Sequence, residues 1–155
     1  MDTASTIPVT TARANWPRWL LLAGRLILGG VFIYAGYAKL REPWMLFAFS
    51  INSYQILPES VVSILARTLP WFELILGVVL VSGVALRWTA AAASGLFILF
   101  SAAMLRAYVK NLSIDCGCFG YGEKLGPLRF TFEGALLALA LGVTVGAFLM
   151  HRRRA

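Results

Sequence analysis

Four apolar runs of about twenty residues each constrain this chain more than any other feature. A helix of that length rises ~1.5 Å per residue and so crosses the ~30 Å hydrocarbon core of a bilayer. The runs are Trp19 to about Ala38, 61–81, 88–108 and 130–150. Hydrophobic residues make up 59% of the chain and charged ones 14%, against roughly 25% charged in a soluble domain. One globular core cannot absorb that excess. The expected fold class is all-α: an integral membrane four-helix bundle in contact with the lipid bilayer, built as one domain over 19–150.

The segments between the runs are polar and short. Residues 1–18 form a polar N-terminal segment. The run after it holds Arg25 and has no clear small-x-small cleavage site, so it reads as an uncleaved signal anchor. Lys39-Leu40-Arg41-Glu42-Pro43 stops the first span, because proline lacks an N–H and clashes with the preceding turn. Residues 44–58 make an amphipathic connection with Trp44, Phe47, Phe49 and Tyr54. This is either an interfacial aromatic belt or the edge of a pocket for a hydrophobic ring such as a quinone. In the last span Gly134, Ala138, Gly142 and Gly146 recur every fourth residue, a stripe expected to serve helix packing.

The formal net charge is +7. Its basic residues sit at the ends of apolar runs and in the tail 151–155, with no basic stripe or recognition fold, so no nucleic-acid partner is expected. Four spans put both termini on one side, with Arg13, Arg18, Arg87 and Arg152 to Arg154. The positive-inside rule makes that side cytoplasmic. The protein is then expected in the inner (cytoplasmic) membrane, with the loop 109–129 facing outward.

That loop holds both cysteines, in Asp115-Cys116-Gly117-Cys118-Phe119-Gly120. On an oxidising face such a pair can form and exchange a disulfide. The ring closed by Cys-x-Cys is very small and must distort, and Gly117 is the residue best able to take the backbone angles required. A strained bridge is readily reduced, which suits exchange, and it closes too short a loop to act as a staple. Cys116 and Cys118 are therefore the candidate catalytic residues of a thiol–disulfide oxidoreductase. Arg106 and Lys110, four apart, are candidates to favour the thiolate, and Asp115 is a candidate proton acceptor. Structural zinc needs four ligands, whereas this chain has two cysteines and one histidine, so no metal site is expected. A second reading remains open, in which the loop docks a partner and the cysteines hold its shape.

Arg25 and Glu73 fall inside spans, where a charge normally faces a partner or a cavity. The linear sequence places both near the bilayer midplane, and they are expected to pair between the first two spans. That pair either fixes helix register or serves a proton path or quinone contact. Arg67, Glu133, Lys39 and Arg106 lie nearer the outer face and are expected to form a polar floor beneath the cysteines.

Taken together, several motifs resemble the DoxX/MauE group of small membrane proteins. They are Arg25-Leu26-Ile27-Leu28-Gly29-Gly30-Val31-Phe32, Ala35-Gly36-Tyr37-Ala38-Lys39, Tyr54-Gln55-Ile56-Leu57-Pro58, Leu69-Pro70-Trp71-Phe72-Glu73-Leu74 and the Cys-Gly-Cys loop. The cysteine motif is most similar to the MauE branch, and the resemblance spans about 19–149. It implies a four-helix arrangement distantly similar to vitamin K epoxide reductase, with quinone-linked disulfide chemistry. It also implies a role in maturing a disulfide-containing periplasmic client, in the family methylamine dehydrogenase, alongside a thioredoxin-like partner. Unlike the epoxide reductases, this chain has a single cysteine pair, so a partner or a membrane quinone must complete any redox cycle.

Overall fold

A computed structural model describes residues 18–110 and 127–152 of the chain. Among them there are five helices and no strand: α1 (Arg18–Arg41), α2 (Trp44–Ser53), α3 (Glu59–Ser82), α4 (Leu86–Val109) and α5 (Pro127–Arg152). All but α2 are long and apolar enough to cross a membrane. The helices extend each expected span by one to three residues per end, because backbone hydrogen bonding carries the helix past the last apolar side chain into the flanking polar residues.

The stops are chemical. Pro43 ends α1 and directly precedes α2, its carbonyl accepting from the Leu46 N–H at 2.9 Å. Gly83 ends α3 at φ 75°, a left-handed conformation that costs glycine little, and its N–H donates to the Val79 and Leu80 carbonyls. The connection expected at 44–58 thus contains a helix, with Phe47 and Ser50 turned inward and Trp44 and Phe49 outward.

The helices pack antiparallel as α1 on α3 and α4 on α5, and α5 also rests on α1. The core joins Leu21, Leu28 and Phe32 of α1 to Leu76 and Leu80 of α3, Ala90, Ala93 and Phe97 of α4, and Leu136, Ala140 and Val143 of α5. Phe32 and Phe97 meet at 5.1 Å between ring centroids. Ser94 and Thr144 join α4 to α5 through a 3.0 Å hydroxyl contact. Outside this core the surface is also apolar, with Ile27, Ile64, Ile75, Leu99 and Val145 all more than half exposed. An apolar core inside an apolar surface is what a lipid solvent requires.

The closest approach is between α1 and α3. A Cβ on Gly77 would lie 2.7 Å from the Gly29 carbonyl oxygen, and one on Gly36 would lie 2.7 Å from that of Pro70. These glycines, with no Cβ between the two backbones, set the helix spacing. The stripe on α5 does not play that part. Gly134 has open space around it and Ala138 is exposed; of its members, Gly146 is the one buried against Leu21. The packing face of α5 runs instead through Glu133, Leu136, Ala140, Val143 and Ala147, at the mixed spacing of three and four that a helix needs to keep one face. A strict four-residue repeat drifts around the helix, and here it runs from the exposed face at Gly134 to the packed face at Gly146.

Gly77→Val is accordingly expected to destabilise the bundle by roughly 1–3 kcal/mol, since neither facing backbone can move aside easily. Gly134→Ala, in open space, should leave it unchanged. Thermal unfolding of the two variants in detergent checks the contrast.

Candidate functional site

The polar centre of the bundle is an ion pair between α1 and α3. The Lys39 ammonium donates to both carboxylate oxygens of Glu73, at 2.8 and 2.7 Å, and each side chain is about 1% exposed. Phe47 of α2 and Phe100 of α4 close over it, with ring centroids 5.3 and 5.7 Å from the Lys39 nitrogen. Their negative π faces add a second, softer ligation of the cation. Two oxygens and two rings leave the ammonium well satisfied in a region with no water to solvate it.

The expected partner of Glu73 was Arg25, and the structure corrects this. Along the α1–α3 interface Gly29 faces Gly77 and Gly36 faces Pro70, so Arg25 lies level with Val81 and Glu73 with Ile33. The two charges are some eight residues apart along the helices, about 12 Å of rise. Side chains also lean toward the N-terminus of their own helix, which in an antiparallel pair carries Arg25 and Glu73 apart. The same lean brings Lys39 and Glu73 together at the level of Pro70, close to the midpoint of α3. Arg25 donates instead to the Val81 carbonyl at 3.3 Å. That carbonyl belongs to the last turn of α3, where it has no helical partner and the helix dipole is negative.

The other candidate residues separate. Arg106 is exposed in the last turn of α4, and Lys110 is exposed just past it as the C-cap. Arg67 is exposed and lies 4.1 Å over the Trp44 ring. Glu133 is buried. The expected polar floor of Arg67, Glu133, Lys39 and Arg106 is therefore not one surface, because Lys39 turns inward and the two arginines turn outward. Asp115, Cys116, Gly117 and Cys118 lie outside the described residues. The helix ends they connect, Val109 and Pro127, stand at the same end of the bundle as α2. Phe100 carried no sequence signal of its role. Phe47 carried a partial one, as an aromatic on an amphipathic stretch.

Four membrane-length helices closed around a buried charge pair define a polytopic integral membrane protein. Its family follows from comparison with known sequences. Residues 17–147 match the model of the family described as methylamine utilisation protein MauE, and the chain belongs to that family. It is 31% identical over 130 residues to the methylamine utilization protein MauE of Paracoccus denitrificans, covering 82% of this chain and 69% of that one. No solved structure matches significantly.

Removing one member of a buried ion pair strands the other charge, which typically costs about 3–5 kcal/mol. Lys39→Met and Glu73→Leu singly are expected to lose stability on that scale, and the double variant to recover most of it. Unfolding of the three proteins in the same micelles measures the coupling.

Proposed function

We propose that this protein is a membrane thiol–disulfide exchange protein acting through Cys116 and Cys118 on the outer face of the inner membrane. The observation that carries the reading is the pair itself. Both cysteines of the chain stand one glycine apart, in the polar segment between two membrane-spanning helices. Membership of the MauE family supports a client belonging to methylamine utilisation, the process named in that family's description.

In the oxidising direction a client thiolate attacks one sulfur of the Cys116–Cys118 bridge and expels the other as thiolate. The resulting mixed disulfide is resolved by the client's second thiolate. The client loses two electrons and two protons, and Cys116 and Cys118 gain them as thiols. Reoxidation passes the same two electrons and two protons to a membrane quinone, giving quinol, or to the disulfide of a thioredoxin-like partner. Arg106 and Lys110 close α4 as exposed cations, ahead of the cysteine segment. Positive charge close to a thiol favours its thiolate. The deep Lys39–Glu73 pair supports the scaffold and takes no part in the exchange.

Thiol alkylation of the purified protein across redox buffers tests this reading. The expected result is a reversible bridge with a midpoint well above about −300 mV, where stable structural disulfides lie. One of the single variants Cys116→Ser and Cys118→Ser should also trap a mixed disulfide with its partner. A pair that never bridges at any poise, with neither variant trapping a partner, would instead mark the segment as a docking element of an assembly factor.

A further inference from the structure

The end of the bundle remote from α2 carries a second polar constellation, which thiol exchange does not use. A cavity of about 320 Å³ opens there between the α3–α4 turn and the last turns of α5. Gly83, Leu86, Arg87, Ala147, Met150 and His151 line it. The Arg87 Nη1 lies 3.1 Å from Nε2 and 3.4 Å from Nδ1 of His151, holding the two side chains together across the mouth. Leu86, Ala147 and Met150 supply an apolar wall. Arg25 reaches the same turn from α1, with its guanidinium packed against Gly83 and its Nε buried without a partner.

Among the described residues at this end, no carboxylate offsets these cations. The segments 18–30, 76–95 and 138–152, which build this half of the bundle, contain neither Asp nor Glu. The first-turn N–H groups of α4 add the positive end of its dipole at Leu86 and Arg87. Aromatic side chains fix the depth. Trp88 is exposed, lies under the Arg87 guanidinium at 5.4 Å and packs edge-on to Phe148 at 6.4 Å. Trp19, at the start of α1 on the same end, is 79% exposed. Exposed indoles at the ends of membrane helices settle at the headgroup level, so the cavity opens there.

We infer that this cavity binds the phosphate headgroup of an anionic phospholipid. Arg87 is the charged donor to the phosphate oxygens, His151 stands beside it as a second polar contact, and Leu86 and Met150 line the path of the glycerol and first methylenes. A free phosphate ion shares the charge chemistry and gains nothing from that apolar wall.

The test uses the full chain in a neutral detergent. It is titrated with brominated phosphatidylglycerol or brominated phosphatidylcholine, and quenching of tryptophan fluorescence is read. The wild type should prefer phosphatidylglycerol, and Arg87→Gln should lower that preference about fivefold, the worth of one cation at an anionic surface. Arg87→Gln/His151→Gln should lower it further, while Arg41→Gln, exposed at the opposite end, should leave it unchanged. Millimolar inorganic phosphate should not displace the lipid. Equal quenching by both lipids in the wild type, or a preference that survives the double variant, overturns the inference. Displacement by inorganic phosphate overturns the lipid assignment and makes the cavity a site for a free anion.

Discussion

Where α1 and α3 cross, one backbone rests on the other with no Cβ between them. Gly29, Gly36 and Gly77 make that possible, and the register they impose decides which charges meet inside the membrane. With Gly36 against Pro70, the long side chain of Lys39 and the shorter one of Glu73 lean toward a common level and close a two-oxygen ion pair. A wider spacing would leave two charges apart in hydrocarbon, where water cannot answer them. The glycine contact and the ion pair are thus one device.

The bundle built on it has two unlike ends. One holds α2, the ion pair beneath it and the helix ends joined by the cysteine segment. The other holds Arg25 on the last turn of α3, the Arg87–His151 contact and a cavity with an apolar wall. Between them the core is almost wholly apolar, with Ser94 and Thr144 as a hydroxyl link between α4 and α5. Polar chemistry is confined to places where a helix end, an opposite charge or an aromatic face satisfies it, as a medium without water demands.

Much of this was legible in the chain. The four spans follow from the run lengths, and their ends from Pro43 and the flanking charges. The cysteine pair announces itself by spacing. What failed was the inference of contacts from depth. Arg25 and Glu73 both read as mid-membrane charges, yet the α1–α3 register sets Arg25 level with Val81, in the last turn of α3, whose free carbonyl it meets. The α5 stripe packs only in part, for a related reason. A four-residue repeat marks small residues without saying which face meets a neighbour, and the stripe reaches the buried face of α5 at Gly146 while Gly134 and Ala138 stay exposed.

Hydrophobicity and local stop signals act within a single stretch of chain. Composition and order were therefore enough to establish an all-helical membrane protein with four crossings and a polar cysteine segment. The pairing of Lys39 with Glu73, the cover of Phe100 over Lys39, and the meeting of Arg87 with His151 join residues from 34 to 64 positions apart. Such contacts depend on helix register and rotation, which arise only when glycine surfaces and side-chain lean are fitted together in three dimensions.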